Sequence, residues 1–122
     1  KAYFVSPVVD MQKLIYDMMK SAHVTEEELY KKSKIATDFG ETLSWEYLCY
    51  VKDNPIRWTV PTCILYGEND RLTSQETISD FAKKIGAKLT VMKNGEHWFH
   101  TDEQMRFVDD WIKSATNQSA LT

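Results

Sequence analysis

The sequence predicts an α/β protein: about three parallel strands flanked by helices, with a helical insertion after the first strand. Three observations carry that expectation. Apolar, β-rich runs occur at residues 2–5, 62–66 and 88–92, the first two with a composition suited to buried strands. Stretches of helical apolar spacing separate and follow them, and strand–helix alternation implies parallel pairing with right-handed crossovers. Roughly fifty residues separate the first two strands, far more than a crossover needs. That insertion is therefore expected to form a helical cap over one end of the sheet, within one domain spanning 1–122.

Each element has a local cause. Ala2-Tyr3-Phe4-Val5 is stopped by Ser6-Pro7, and from Asp10 the apolar period changes to that of a helix. Met11, Leu14, Ile15, Met18, Met19 and Ala22 share one face, with Asp10 as N-cap. Thr25 and Glu28 form a capping box that opens a second, mostly polar helix toward Lys34, and a loop through Asp38-Phe39-Gly40 follows. Ser44 caps a third helix carrying Trp45, Tyr47, Leu48, Tyr50 and Val51, which ends before Asn54-Pro55. The second strand breaks at Gly67. Thr73 with Glu76 reads as the capping box of a helix whose apolar face is Ile78, Phe81, Ala82 and Ile85, closed by Gly86. After the third strand, Thr101 with Gln104 starts the last helix, with Met105, Val108, Trp111 and Ile112 as its expected buried face and fraying expected after Ala115.

Composition narrows the function classes. A chain of 122 residues with 43% hydrophobic and 27% charged residues is long enough to hide about 65–70% of its unfolded surface without disulfide or metal staples. Fifteen basic against eighteen acidic side chains give a net charge of −3 without a basic patch, which argues against a nucleic-acid partner or a polybasic membrane surface. Apolar runs are too short for a membrane span or a signal-peptide core. Two cysteines, Cys49 and Cys63, make neither a disulfide framework nor a metal quartet and fit a reducing, cytoplasmic compartment.

Ligands of open parallel sheets sit beyond the carboxyl ends of the strands. Two polar clusters occupy that position: Gly67-Glu68-Asn69-Asp70 after the second strand and Asn94-Gly95-Glu96-His97 after the third. The 27 residues from Asp70 to His97 hold one helix and one strand, which brings the two loops side by side. A carboxylate there can fix the tautomer of the imidazole and stabilise its protonated form, as acid and base do in a hydrolytic triad. Ordinary readings compete. An Asp after a strand is also a common turn former, and a His followed by Trp98 and Phe99 can be a hydrogen-bonded core residue. Asp10 has a sufficient task as an N-cap, His23 sits at a helix end where a cation is favoured, and His100 reads as a helix-start residue. Glu96, His97 and His100 do not follow the His-Glu-x-x-His order of a zinc helix, so no metal and no cofactor are expected.

The run Pro61-Thr-Cys-Ile-Leu-Tyr-Gly-Glu-Asn-Asp70, a helix, a strand, Gly95-Glu-His97 and a final amphipathic helix resemble the C-terminal part of an α/β-hydrolase. The resemblance covers nearly the whole chain and points to the esterase, lipase and serine-aminopeptidase-like group. It implies that Phe4-Val5-Ser6-Pro7 corresponds to the sixth strand and 10–59 to the lid, with Asp70 as catalytic acid and His97 as catalytic base. Trp45 and Tyr47 on the lid would bind substrate, with Tyr50 beside them. The expected substrate is a small-molecule ester, thioester or amide.

One part of the pattern is missing from the sequence. The nucleophile elbow requires Gly-x-Ser-x-Gly, and Gly40, Gly67, Gly86 and Gly95 are never four apart, nor preceded two residues earlier by Ser or Cys. The chain is thus expected to carry acid, base and lid without the nucleophile, and to be inactive by itself. A homo-oligomer through the first strand is expected, because such a strand would lie at a sheet edge. A naturally short, non-catalytic α/β binding module is the alternative.

Overall fold

The computed structural model describes the main chain of residues 1–121 and the side chains of residues 1–117. Two compact units result: Lys1–Val9 together with the chain from Trp58 onward, and Asp10–Arg57.

The first unit is built on a parallel sheet of three strands, β1 (Ala2–Val5), β4 (Thr62–Gly67) and β5 (Lys88–Met92), in the order β1-β4-β5. The strands pair in parallel, with Phe4 opposite Ile64 and Tyr66 opposite Val91. Every residue of β4 is buried, as expected of a central strand covered on both faces. Successive side chains of a strand point to opposite faces, and the packing follows that period. Ile64 and Tyr66 join Val9, Ile78 and Ala82 on the face covered by α4 (Gln75–Ile85). Cys63 and Leu65 join Trp111 and Ala115 on the face covered by α5 (Asp102–Leu121). The carboxyl ends of all three strands then emerge at one edge of this sandwich.

Local signals place the helices, with two exceptions. The capping box at the start of α5 closes reciprocally: Thr101 Oγ1 accepts from Gln104 N–H at 3.1 Å, and Gln104 Oε1 accepts from Thr101 N–H at 3.4 Å. Gly86 ends α4 in the left-handed conformation at φ 69°. The start of α4 differs from expectation: its N-cap is Ser74, whose hydroxyl accepts from Thr77 N–H, not Thr73. Both main-chain groups of Thr73 are committed to the preceding turn, its N–H to Asp70 Oδ1 and its carbonyl to the Tyr66 hydroxyl. The buried face of α5 also shifts. Met105 is 56% exposed while Gln104, Trp111 and Ala115 are buried, because Gln104 turns inward to serve the cap. The helix continues to Leu121, past the Ala115 where fraying is expected to begin; Thr122 lies outside the described residues.

The second unit packs α1 (Met11–Ser21), α2 (Glu26–Lys32) and α3 (Trp45–Asp53) around Ile15, Met19, Leu29, Leu43 and Leu48. Its helices start at the expected caps Asp10, Thr25 and Ser44. The loop expected through Asp38-Phe39-Gly40 is present, but it is the turn of an unforeseen antiparallel hairpin of β2 (Lys34–Ala36) and β3 (Thr42–Ser44). The second helix accordingly stops at Lys32. Ile35 pairs with Leu43, and both side chains pack into this unit's core. Strands of three residues are too short for alternation to show in a sequence.

Candidate active site

The site is assembled where the loops after β4 and β5 touch. Glycine makes the approach close: a Cβ on Gly67 would stand 2.6 Å from the carbonyl oxygens of Gly95 and Glu96. Two hydrogen bonds join the loops there, from Glu68 N–H to Met92 O at 3.0 Å and from Asn69 N–H to Gly95 O at 2.8 Å. Asn94 turns the β5 end with φ 61°, a conformation asparagine tolerates better than most residues.

Asp70 and His97 meet across that seam, with Asp70 Oδ2 2.7 Å from His97 Nδ1. The Asp70 side chain is only 1% exposed, and a buried carboxylate requires partners for both oxygens. Oδ1 accepts from Leu72 N–H at 2.8 Å and Thr73 N–H at 3.2 Å, so Oδ2 is the oxygen left for the imidazole. Asp70 is thus both the turn former and the partner of His97, one oxygen for each role. With Oδ2 accepting, Nδ1 carries the proton and Nε2 presents its lone pair. Nε2 has no hydrogen-bond partner among the described residues, and the His97 side chain is 35% exposed. It borders an open depression of about 730 Å³, lined also by Asn69, Arg71, Leu72 and Trp98. That volume suits a small-molecule site.

Tyr66 supports the acid from below. Its hydroxyl donates to Thr73 O at 2.6 Å and lies 3.4 Å from Asp70 O. Burial, and then the negative charge of Asp70, push its phenol above the ordinary tyrosine pKa.

The other candidate residues have local partners. Asp10 Oδ1 accepts from Lys13 N–H at 3.0 Å, the N-cap geometry of α1. Glu96 receives Gln104 Nε2 at 3.2 Å and stands 3.3 Å from His100 Nδ1. His100 N–H donates to Gln104 Oε1 at 3.1 Å, and its ring stacks on Trp98. No group of three or more metal-ligating side chains occurs among the described residues, and no helix there is long and apolar enough to cross a membrane. Within the second unit, Trp45 packs edge-on against Tyr30, whereas Tyr47 is exposed and stacked on Tyr50. Sequence reasoning missed Ser6, whose hydroxyl donates to the His97 carbonyl at 2.7 Å. Its only signal was Ser-Pro at a strand end, read as a stop.

A histidine on one strand-end loop, paired with an aspartate on the next beyond the carboxyl edge of a parallel sheet, fits an α/β-hydrolase fold. Comparison with protein families narrows it: the profile described as serine aminopeptidase, S33, matches residues 3–104, and the chain belongs to that family. Among solved structures, Est1E from Butyrivibrio proteoclasticus, determined with ferulic acid bound, is similar at a TM-score of 0.68 and 18% identity, over 100% of this chain and 51% of that one. At that identity the likeness shows the fold. A thioesterase domain from the curacin biosynthetic pathway and a marine microorganism esterase match at 16% identity, over 87% and 88% of this chain and 44% and 48% of theirs; both TM-scores are 0.36 and carry no argument. The chain spans about half the length of the solved structures it matches. No curated protein matches it.

Proposed function

We propose that the chain supplies the acid and base of a serine hydrolase acting on carboxylic esters, thioesters or amides, as the C-terminal part of the enzyme. The observation that carries this reading is the 2.7 Å contact between His97 Nδ1 and Asp70 Oδ2, with the other Asp70 oxygen saturated by main-chain donors. A serine upstream of Lys1 attacks the carbonyl carbon while His97 Nε2 takes its proton. The imidazolium, stabilised by Asp70, then protonates the leaving group as the tetrahedral intermediate collapses, and water repeats the sequence on the acyl-enzyme. Placing the nucleophile upstream is supported by the lack of Gly-x-Ser-x-Gly in the sequence. Residues 10–59 serve as lid, with Trp45 and Tyr47 offering apolar wall to the acyl group. The free cysteines Cys49 and Cys63 support a cytoplasmic setting.

The experiment is active-site labelling of the protein extended upstream. A serine-directed phosphonate should label one serine before Lys1 and none within this chain. His97→Ala should abolish turnover with the fold retained, and the 122-residue chain alone should not turn over activated esters. A base by itself contributes only about 10²–10⁴-fold, far short of enzymatic acceleration. Labelling of a serine in this chain, or full activity in His97→Ala, would refute the assignment. An extended protein with neither turnover nor a labelled serine would favour the binding module.

A further inference from the structure

We propose that Ser6 is a positioning residue for His97, clamping the main chain of the base while Asp70 holds its ring. The inference rests on the acid–base reading above. Ser6 follows β1 with φ 51°, a left-handed backbone unfavourable for a residue with a side chain. Its N–H donates to Leu65 O at 2.9 Å, so the chain stays tied to β4 up to Ser6 and turns there. The turn directs the hydroxyl to the His97 carbonyl at 2.7 Å, across 91 residues of sequence.

Sheet order gives this bond its meaning. In β1-β4-β5, Ser6 follows one outer strand and His97 the other, so the bond reaches past the end of β4. The position of an imidazole depends on where its Cα sits and on two side-chain torsions. Asp70 restrains the torsions through Nδ1; Ser6 restrains the peptide plane leaving the Cα. A residue needed only to end β1 would be glycine or asparagine, which accept positive φ more readily. Serine there trades backbone ease for a hydroxyl, the kind of strain that points to function.

Ser6→Gly separates the two roles, because it relieves the backbone while deleting the donor. Ser6→Asn keeps a residue tolerant of the left-handed region and restores an N–H donor. The readout is the His97 Nδ1 proton by NMR and its rate of exchange with water, alongside the thermal midpoint. Ser6→Gly should melt close to the temperature of the unsubstituted chain, because relief of the left-handed strain offsets the lost bond and the freer unfolded chain. It should nevertheless exchange about fivefold faster, the factor equivalent to one ordinary hydrogen bond. Ser6→Asn should return exchange toward the original rate. An unchanged rate in Ser6→Gly overturns the proposal, as does equal acceleration in Ser6→Asn or a lowered midpoint that accounts for the faster exchange. Absence of the resonance from the unsubstituted chain would instead refute the Asp70–His97 pair, and the positioning role with it.

Discussion

Replacing Gly67 by alanine should uncouple the two loops that bring Asp70 and His97 together. The new Cβ would sit 2.6 Å from Gly95 C, Gly95 O and Glu96 O, and ordinary contact begins near 3.4 Å, so one loop must retreat by about 0.8 Å. Main chain, not a flexible side-chain tip, has to move. The same displacement applied to the 2.7 Å contact of His97 Nδ1 with Asp70 Oδ2 takes it to about 3.5 Å, beyond useful hydrogen-bonding distance. Overpacking of this kind costs about 1–3 kcal/mol, and loss of one of the two inter-loop bonds adds about 1 kcal/mol. Alanine also restricts the unfolded chain, which offsets about 0.4–1 kcal/mol. The steric terms win, leaving a net loss of roughly 2–3 kcal/mol and a fall in the thermal midpoint of about 10 °C. Chemical denaturation with NMR detection of the His97 Nδ1 proton measures both effects. Gly86→Ala is the control: nothing lies within 4 Å of its Cβ position, and φ is 69°, so it should lose about 1 kcal/mol through backbone strain alone and keep the His97 signal. The reasoning fails if Gly67→Ala stays within about 0.5 kcal/mol of the original with that signal unchanged.

Three further outcomes follow from the same geometry. Asp70→Asn retains an acceptor for Leu72 and Thr73 N–H but presents an amide donor to Nδ1, moving the imidazole proton to Nε2; turnover of the upstream-extended enzyme should drop about 10³–10⁴-fold with the fold intact, and retention of a tenth of the activity would contradict the tautomer argument. Tyr66→Phe removes the 2.6 Å bond to Thr73 O and should cost about 1–3 kcal/mol at neutral pH. The raised Tyr66 pKa means that above about pH 10 the unfolded chain releases this proton before the folded one does, so stability falls as pH rises through that range. The Phe variant should show a shallower alkaline loss in urea titrations at stepped pH, and parallel slopes would exclude the phenol as the source. At the edge of the sheet, β1 should recruit a second copy of the 122-residue chain, burying residues 1–7; light scattering at micromolar concentration showing a stable monomer would rule this out.

What could be read beforehand divides by distance along the chain. Signals contained within one turn or one strand were legible: the apolar run of β4, the capping boxes at Thr25 and Thr101, and Gly86 as a terminator. The Asp70–His97 pairing was legible because parallel topology forces successive strand ends onto one edge. Features that depend on competition between neighbours were not. Ser74 displaced Thr73 as the cap because the Asp70 turn had already taken the Thr73 main chain, and Met105 yielded its place because Gln104 was drawn inward. The β2–β3 hairpin needed knowledge that Ile35 and Leu43 share a core. Asp70 shows how both kinds of signal meet in one residue. Its Oδ1 does local work that any strand-end Asp can do, whereas Oδ2 does work defined only by a residue 27 positions away. Truncating the side chain, as in Asp70→Ala, therefore damages the turn and the site together, whereas Asp70→Asn spares the turn. Ser6 reaches the far loop through its hydroxyl, which makes it a second position where the cost to the site can be measured apart from the cost to the fold.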